Sequence, residues 1–582
     1  MPKTFEIGLT MAGAVSAGAY TAGVMDFFIE ALDAYTQAKK QPGWDGPTHD
    51  VRIPIMSGAS AGGMTSSICA LHFFRSAFEH VWPQDADKKT PDRRRNRLYS
   101  SWVEDIDIRR LLETGDIDKS AKAPVRSLLC CDVIDQIVSD AFDIDGEIRA
   151  PDWIGRGGDH SVRVRLTLTN LRGVPYAFDI YGSDDPRRYG MLSHGDLLDF
   201  KIGIAPAPEP GVYALDITNT NTLEWNLFRT AAKATGAFPI GLSPRRISRD
   251  ASQYAYISAI RYGDGVTPPE IGVEAGKPYE FIAVDGGTID NEPLELTRRY
   301  LSGGADNINK NDGIETDKAV ILIAPFPNFL DAKTSDAHAP TDGDDIELSL
   351  ARVAGELLPT LTDQARFKPD ELRRAADQEY YTRYLISPAR DDARPMAVKY
   401  PIACGALGGF SGFLHISFRR HDYLLGRRNA QAFLRWHFNL PEKATLFDGF
   451  TGDREKWLVR EPGQPEAYRK VSTRAEKDLR ALPILPLVGD LKDKEIAIPS
   501  GDLPDCDAVF GPRRDPLDGL VEARAKKVVD RLVDVHMSFG SGPIAWAERF
   551  GAKRVGTRFA VEKATAKIAE AVDDIRQAFY KP

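Results

Sequence analysis

The chain has 582 residues, which is enough for two or three domains with a large buried core. Hydrophobic residues make up 42% and charged residues 27%, as in an ordinary soluble globular protein, and the net charge of −9 gives no electrostatic reason to expect a nucleic-acid partner. The five cysteines form no even framework and no Cys-x-x-Cys pair, which predicts a reducing compartment without structural disulfides or structural zinc.

The N-terminal residues lead directly into an apolar strand, without the charged and apolar regions of a secretory signal peptide. No apolar stretch reaches about 18 residues, the length that would indicate a transmembrane helix. We therefore expect a cytoplasmic protein without a signal peptide or a transmembrane helix.

The first predicted element is a strand at Phe5–Thr10, followed by a loop of small residues and a helix. The loop, residues 11–18, reads Met-Ala-Gly-Ala-Val-Ser-Ala-Gly, and apolar residues recur at helical spacing from Ala19 onward. A loop of this kind at a helix N-terminus presents backbone N–H groups that bind a phosphate or the oxyanion of a tetrahedral intermediate. Because the loop lacks the middle glycine of a dinucleotide fingerprint, we expect no dinucleotide, and no other cofactor or metal is indicated.

The next apolar run ends in Gly58-Ala59-Ser60-Ala61-Gly62, a Gly-x-Ser-x-Gly pattern that precedes a helix-like stretch. This pattern is typical of a serine on a tight strand-to-helix turn, where the flanking glycines leave room for a crowded backbone. A helix N-terminus at Ser60 favours developing negative charge. The pattern predicts a catalytic serine, and a tight connection in an ordinary α/β domain is the alternative that the pattern alone leaves open.

Further along the chain, a predicted hydrophobic strand ends at a carboxylate side chain. The run Phe281–Val284 precedes Asp285, and Gly286 and Gly287 turn the chain before a helix that begins near Pro293. Asp285 forms a local turn or acts as a base. Beside a candidate nucleophile and an anion-binding loop, we interpret it as the base.

Two more strands are predicted in this half of the chain, at Leu166–Leu171 and Ala319–Ile323. Residues 84–97 are a polar insertion with six basic side chains. We interpret this insertion as a solvated loop, with a docking patch for an anionic membrane surface as the alternative.

The second half is predicted to be largely helical. Helical periodicity runs over Pro369–Leu385, residues 405–413 are rich in glycine and aromatic residues, and an apolar stripe runs from Val561 to Phe579. We interpret this stripe as core packing, with a membrane-facing surface as the alternative. Proline, glycine and aspartate dominate residues 480–515, which indicates a long loop or a lid.

A cluster of basic side chains precedes that loop, at Arg419, Arg420, Arg427 and Arg428. We interpret these arginines as partners of acidic residues on the body of the protein. Contact with a phosphate head group is the alternative.

Three of these segments together resemble the motifs of the patatin-like phospholipases, which are lipid acyl hydrolases with a Ser–Asp dyad. The family pattern is a glycine-rich oxyanion loop, then Gly-x-Ser-x-Gly, then Asp-Gly-Ala/Gly. The chain has, in that order, Gly13-Ala14-Val15-Ser16-Ala17-Gly18, Gly58-Ala59-Ser60-Ala61-Gly62 and Asp285-Gly286-Gly287. An alanine-rich stretch ending in Phe-Pro at residues 231–239, and Asn291 and Pro293 after the aspartate, are also similar to the family. Residues 413–429 resemble a stretch of larger bacterial members.

The resemblance implies an α/β fold, with a three-layer α/β/α patatin-like domain over residues 5–330 and a largely helical extension over residues 331–582. It implies that Ser60 is the nucleophile, that Asp285 is the base, and that the backbone of Gly13, Ala14 and Val15 forms the oxyanion hole. The implied activity is lipid degradation, by hydrolysis of ester-linked acyl chains of phospholipids or other lipids through an acyl-Ser60 intermediate. The substrate implies peripheral contact with a membrane, and no metal or cofactor is implied.

The loop departs from the family pattern at three positions. Its second and third glycines are Ala14 and Val15, and the usual Arg or Lys is Ala17. Backbone N–H groups stabilise an oxyanion, so Ala14 and Val15 can serve if neither requires a positive φ, which is costly for a β-branched residue. Without the cation, the sequence does not explain how this loop is anchored.

Two alternative functions follow from these observations. The departures in the loop motivate a catalytically impaired lipid-binding protein. A Ser-His-Asp esterase of the α/β-hydrolase class would need a histidine after the acid. Candidates are present at His338, His415, His421, His437 and His536, but Ser60 comes very early for that fold.

Overall fold

The structure is a computed structural model, and it describes residues 2–76, 78–82, 92–119, 124–143, 146–178, 189–262, 270–274, 276–304, 309–326, 360, 380–390, 401–497, 515–536 and 543–579. The strands are β1 (Thr4–Met11), β2 (Asp50–Gly58), β3 (Ser161–Phe178), β4 (Tyr189–Gly203), β5 (Tyr213–Asp216), β6 (Arg245–Asp250), β7 (Glu270–Ile271), β8 (Pro278–Asp285), β9 (Lys318–Ile323), β10 (Arg383–Ile386), β11 (Asn439–Pro441), β12 (Arg460–Glu461), β13 (Gln464–Tyr468), β14 (Lys470–Val471) and β15 (Leu479–Pro483).

The longer helices are α1 (Gly18–Lys39), α2 (Ser60–Phe73), α3 (Asp132–Ala141), α4 (Leu223–Thr235), α5 (Gln253–Tyr262), α6 (Leu294–Ser302), α7 (Ile416–Trp436), α8 (Asp515–His536) and α9 (Pro543–Phe579). Short helical turns occupy Val15–Ala17, Arg97–Tyr99, Ser100–Asp105, Ile108–Leu111, Gly115–Asp118, Gly286–Thr288, Ala403–Gly405, Leu407–Gly409, Ser411–Phe413, Thr445–Phe447, Arg454–Lys456 and Asp490–Asp493. None of the helices in the described part of the chain is long and apolar enough to cross a membrane.

A large, mostly parallel sheet forms the centre of the molecule, in the order β10-β9-β1-β2-β3-β4-β5. Strands β10, β9, β1, β2 and β3 run parallel to one another, whereas β4 and β8 pair antiparallel with β3. Strands β1 and β9 are buried along almost their whole length because helices cover both faces of the sheet. Strand β1, for example, is buried from Phe5 to Met11.

Alternate residues of one strand point to different helical layers. In β9, Val320 and Leu322 pack with Leu294 and Leu301 of α6, whereas Ile321 joins the larger core, to which residues of α1 and α2 also belong. The fold is therefore a three-layer α/β/α arrangement, as the sequence predicts. Parallel strands β1 and β2 end on the same edge of the sheet, at Met11 and Gly58.

The C-terminal half contributes to this same body. Strand β10 adds an edge to the sheet beside β9. Helix α7 packs along α1, and the helices α8 and α9 pack on each other. The predicted apolar stripe of α9 is confirmed as core packing, because Ile568, Val572 and Ile575 are buried in one cluster with Leu414 and Phe418.

Two sequence predictions in this half differ from the structure. The helical periodicity over Pro369–Leu385 is wrong at its C-terminal end, where Arg383–Ile386 forms β10 because it pairs with β9. The predicted loop at 480–515 begins inside β15, and residues 498–514 lie outside the described residues. The basic insertion at 84–97 is outside them up to residue 91.

Candidate active site

Ser60 lies at the turn between β2 and α2, with a backbone conformation that few non-glycine residues adopt. Its φ is +52°, directly after the extended Ala59 and at the first residue of the helix. A positive φ is costly for such a residue because it brings the Cβ into steric conflict with the backbone. A sharp, strained turn of this kind between a strand and a helix is typical of a nucleophile elbow.

The two glycines of the pattern are required by close backbone contacts. A Cβ at Gly58 would lie 2.6 Å from the carbonyl of Gly62, and one at Gly62 would lie 2.2 Å from the carbonyl oxygen of Met11. Both contacts are with backbone, which cannot rotate away. The turn therefore holds α2 close against the end of β1, and the backbone N–H of Ser60 donates to Thr235 Oγ1 at 3.0 Å.

Asp285 stands at the end of β8 and meets Ser60 across the edge of the sheet. Ser60 Oγ donates to Asp285 Oδ2 at 2.7 Å, and Asp285 Oδ1 accepts from the N–H of Gly287 at 2.7 Å. Both side chains are buried, with 7% of Ser60 and 4% of Asp285 exposed. The structure thus brings the predicted nucleophile and the predicted base into direct hydrogen-bond contact.

The backbone of Asp285 is held from both sides. Its N–H donates to the carbonyl oxygen of Ala237 at 3.0 Å, and its carbonyl oxygen accepts from Thr169 Oγ1 at 2.8 Å. A Cβ at Gly286 would lie 2.1 Å from the carbonyl oxygen of Thr167, so only glycine fits after the aspartate. These contacts fix the direction in which the carboxylate points.

The small-residue loop, residues 11–18, passes directly beside Ser60. A Cβ at Gly13 would lie 2.8 Å from the Cβ of Ser60 and 2.2 Å from Asn291 Oδ1, so the loop approaches the elbow only with glycine at this position. The N–H of Gly13 is already used, because it donates to the carbonyl oxygen of Asn291 at 3.2 Å. Gly13 therefore contributes the close approach, while its N–H is engaged elsewhere.

The N–H groups of the next two residues remain available. Within the described residues, neither Ala14 nor Val15 donates a backbone hydrogen bond, as is usual at the start of a helical turn. Ala14 has a negative φ of −154°, whereas Val15 has a φ of +48°. The β-branched valine thus occupies the strained conformation that the sequence analysis identified as costly.

An apolar pocket opens above Ser60. Val15, Met64, Trp102, Phe238 and Phe413 are among its lining residues, together with Ser60, Ala61, Ile68, Ser101, Ile106, Ile134, Ile137, Gly236 and Leu242. The pocket is narrow, with a volume of about 50 Å³, so a long acyl chain can enter only if wall side chains move aside. No histidine is among the described residues that line it.

The described histidines downstream of Asp285 have other contacts. His415 Nδ1 lies 2.7 Å from Ser417 Oγ, His421 Nδ1 lies 2.8 Å from Asp422 Oδ1, and His437 Nδ1 lies 3.4 Å from Arg469. Burial, followed by nearby arginines, lowers the pKa of His415 and of His437. His338 lies outside the described residues.

A larger cavity of about 430 Å³ lies elsewhere, between β10 and α7. Tyr384, Asn429 and Arg469 line it, but Ser60 and Asp285 do not. The described residues also contain no group of three or more His, Cys, Asp or Glu side chains that could hold a metal ion. The candidate site is therefore the apolar pocket at the Ser60 elbow.

The structure adds residues that the sequence analysis did not assign to the site. Thr235 closes the predicted alanine-rich helix and accepts from the elbow, and Asn291 contacts the loop. Phe413 and Trp102 also line the pocket, and the sequence analysis assigned neither of them to the site. Residues 405–413 were identified only by their glycine-rich and aromatic composition.

A family model of patatin-like phospholipases matches residues 9–298, which contain the loop, the elbow and the aspartate described above. The chain belongs to the patatin-like phospholipase family. The match indicates an activity of the family's class, hydrolysis of lipid esters, and the family's substrates are lipids.

Similarity to a relative extends through most of this patatin-like chain. It is 34% identical over 526 residues to an uncharacterized protein, y4iI, of Sinorhizobium fredii (strain NBRC 101917 / NGR234), covering 84% of this chain and 71% of the relative. The crystal structure of VipD from Legionella pneumophila aligns over 100% of this chain and 93% of its own, at 11% identity. Its TM-score of 0.23 is too low to carry an argument.

Proposed function

We propose that this protein hydrolyses ester-linked acyl chains of phospholipids or other lipids, with Ser60 as nucleophile and Asp285 as base. The observation that carries the proposal is the 2.7 Å hydrogen bond from Ser60 Oγ to Asp285 Oδ2, with Ser60 also lining an apolar pocket. A serine hydroxyl is a poor nucleophile until a base accepts its proton, and the carboxylate is in position to do so.

In the first step, Ser60 Oγ attacks the ester carbonyl carbon while its proton passes to Asp285 Oδ2. The carbonyl oxygen becomes an oxyanion, for which the available N–H groups of Ala14 and Val15 are the donors. The intermediate collapses, the alcohol leaves with the proton from Asp285, and the acyl chain stays on Ser60. Water then attacks the acyl-Ser60 ester, with Asp285 as base again, and releases the fatty acid.

The donors to the oxyanion are important in this mechanism. A carboxylate of ordinary basicity is a weak base for a serine, so the donors to the oxyanion must supply much of the rate enhancement. One such donor is typically worth roughly 3 kcal/mol. The N-terminus of α2 adds partial positive charge at Ser60.

Substitution of the dyad tests the proposal. We expect Ser60→Ala and Asp285→Asn each to lower kcat on a short-chain nitrophenyl ester by at least about 1,000-fold, because both residues act in one unit. For the same reason, the double variant should lose little more than the poorer single variant. Purified lipids of defined head group, assayed by release of free fatty acid, extend the measurement to the natural class of substrate.

Matched controls separate chemistry from folding. Ser67 is buried on α2 and donates only to the carbonyl oxygen of Gly63, and Asp448 is exposed and pairs with Lys3. Ser67→Ala and Asp448→Asn should keep wild-type activity. Labelling by a fluorophosphonate probe should occur on Ser60 alone. Activity that survives in Ser60→Ala would contradict the proposal.

A catalytically impaired lipid-binding protein is a second candidate, favoured by one observation. Val15 is strained at φ +48° in the loop that must bind the oxyanion. This candidate predicts that native protein binds lipid vesicles but neither hydrolyses the ester nor reacts with the probe at Ser60.

A further inference from the structure

The loop beside Ser60 is anchored by a part of the chain that lies outside the family match. Residues 403–413, called here the glycine-rich segment, come from the C-terminal half and lie against residues 15 and 16. The family model ends at residue 298. The contact therefore joins the region that matches the family model to a segment outside that match.

Ser16 makes this contact through two hydrogen bonds. Its Oγ donates to the carbonyl oxygen of Gly409 and accepts from the N–H of Gly412 at 3.1 Å. Ser16 is fully buried, so water does not compete for these bonds. One hydroxyl thus connects the loop to two separate points of the glycine-rich segment.

The glycines of the segment are needed for its close approach to the loop. A Cβ at Gly412 would lie 2.5 Å from Ser16 Oγ and 2.3 Å from Cys404 Sγ. A Cβ at Gly409 would lie 3.3 Å from the Cβ of Val15. A larger residue at position 412 would displace the Ser16 hydroxyl.

Helix α7 holds the segment in turn. Asp422 accepts from the N–H groups of Ala403 and Cys404, each at 2.8 Å, and Arg419 donates to the carbonyl oxygen of Gly412 at 2.7 Å. Ser411 Oγ donates to the carbonyl oxygen of Ala403 at 2.8 Å. The segment is a rigid support and not a loose loop, because several buried bonds fix its backbone.

The loop needs such a support for two reasons. A β-branched residue at positive φ is strained and persists only where the surroundings enforce it, and Val15 has this conformation. In addition, the position where the family has Arg or Lys is Ala17, which is fully buried and offers no side-chain anchor. Ser16, in contrast, holds the loop through its two hydrogen bonds to the glycine-rich segment.

We propose that Ser16 is a positioning residue, which uses the glycine-rich segment to hold the N–H groups of Ala14 and Val15 where the oxyanion forms. The inference rests on the proposed function and assigns part of the active site to the C-terminal half. Phe413, the last residue of the segment, lines the apolar pocket together with Val15. The same segment therefore contacts the loop and forms part of the pocket wall.

The test is a set of alanine substitutions on both sides of the contact. In Ser16→Ala, we expect kcat on a short-chain nitrophenyl ester to fall by about 10- to 100-fold with KM unchanged, because the N–H donors act mainly in the transition state. Gly412→Ala should give the same pattern, because its methyl group displaces the Ser16 hydroxyl. The double variant should lose no more than the poorer single variant, since both changes break one contact.

Control variants carry the same chemical changes elsewhere. Ser67→Ala removes a buried hydroxyl on α2, and Gly519→Ala adds a methyl group where nothing lies within 4 Å. Both should keep wild-type kcat and KM. Thermal unfolding of all variants reports whether the fold is retained.

The outcomes are distinct. A folded Ser16→Ala variant whose kcat stays within about twofold of wild type would overturn the inference, because the loss of an oxyanion donor lowers kcat by much more. The inference would also be overturned if kcat fell in Ser16→Ala and Gly412→Ala only together with a large fall in Tm. The contact would then support the fold and not the position of the loop. If wild-type protein itself shows no Ser60-dependent hydrolysis, the proposed function fails, and this inference fails with it.

Discussion

At the scale of single residues, the most informative feature is that Ser60 and Val15 both have positive φ. Each conformation is costly for a residue with a Cβ, and such strain concentrates where function requires a particular geometry. In Ser60 the strained turn lies at the end of β2, where the hydroxyl donates to Asp285. In Val15 the positive φ turns the chain so that two N–H groups stay without intrachain acceptors in the described structure.

The identity of the base predicts the pH profile. A carboxyl group of ordinary pKa, about 4, is almost fully ionised above about pH 5. With Asp285 as base, we expect kcat/KM on a soluble ester to be nearly flat from about pH 6 to 8, without a limb near the usual histidine pKa of about 6.5. The measurement uses substrate well below saturation and checks by circular dichroism that the fold persists across the range.

A histidine base would give a different curve. It would produce an acid limb near about pH 6.5, or lower where burial lowers the pKa, as it does for His415 and His437. A single-proton limb that disappears on substitution of one downstream histidine by glutamine would rule out the Ser–Asp mechanism.

At the scale of elements, the packing of α7 on α1 positions the glycine-rich segment. The two helices approach until backbone meets backbone: a Cβ at Gly23 would lie 1.9 Å from the carbonyl oxygen of Tyr423, and one at Gly426 would lie 2.2 Å from that of Tyr20. Neither carbonyl can move without moving its helix. The two glycines therefore set the distance between the helices.

This close approach predicts an unusual response to alanine. In an exposed helix, glycine to alanine stabilises by up to about 1 kcal/mol. Gly23→Ala should instead destabilise, by about 1–3 kcal/mol or more, because the methyl group overpacks against a carbonyl. Gly551→Ala on α9, where nothing lies within 4 Å, is the matched control and should be neutral or stabilising. Urea denaturation compares them, and equal midpoints for the two variants would contradict the proposed packing.

The arginines of α7 mostly serve the fold. Arg427 contacts Asp26 and Glu30, and Arg428 contacts Glu495, which confirms pairing with acidic residues for these two. Arg419 instead donates to the backbone carbonyls of Val103 and Gly412. Arg420 donates to Tyr99 Oη at 3.0 Å, so pairing with acidic residues is confirmed for two of the four arginines.

At the scale of the whole molecule, a buried ion pair joins the two halves of the chain. Asp26 on α1 and Arg427 on α7 are both fully buried, with 2.8 Å between Oδ1 and Nη1. Burial by itself raises the pKa of Asp26, but Arg427 and then His80 outweigh it and lower the pKa to about 2. A lowered carboxyl pKa stabilises the folded state above the unfolded pKa of about 4, and this contribution is lost as the pH falls through about 2.

Asp26→Asn should therefore destabilise the protein by about 3–5 kcal/mol at neutral pH, because it leaves a buried guanidinium without one of its charged partners. The difference from wild type should be constant above about pH 4 and should shrink below it. Urea denaturation at several pH values measures both effects. Asp448→Asn, which breaks an exposed pair with Lys3, should change stability by no more than about 1 kcal/mol. A pH-independent difference for Asp26→Asn would contradict this account.

The division into residues 5–330 and 331–582 remains a prediction about how the chain is organised. The structure shows that β10 and α7, both beyond residue 330, contribute to the central sheet and to the helical layer on it. The core cluster that contains Phe5 and Leu9 also contains Tyr423 and Leu482. Expression of residues 1–330 alone would test whether the first region folds without the second.

The sequence by itself determined the local chemistry of this protein. The elbow at Ser60, the strand end at Asp285 and the small-residue loop were predictable because each depends on glycines and apolar runs within about ten residues. The three-layer fold was implied by the resemblance that these motifs carry, and the structure confirms it. A positive φ at Val15 was identified as costly, but whether the chain adopts it depends on what presses against the loop.

Only the tertiary structure decided which distant segments meet at the site. Examples are the bonds of Ser16 with Gly409 and Gly412, the place of Phe413 in the pocket lining, and the pairing of β10 with β9. No local propensity encodes such contacts, because Arg383–Ile386 becomes a strand only when a sheet edge accepts its hydrogen bonds. Contacts between residues far apart in sequence arise from the packing of whole elements, and at this site that packing supplies the anchor that the loop sequence lacks.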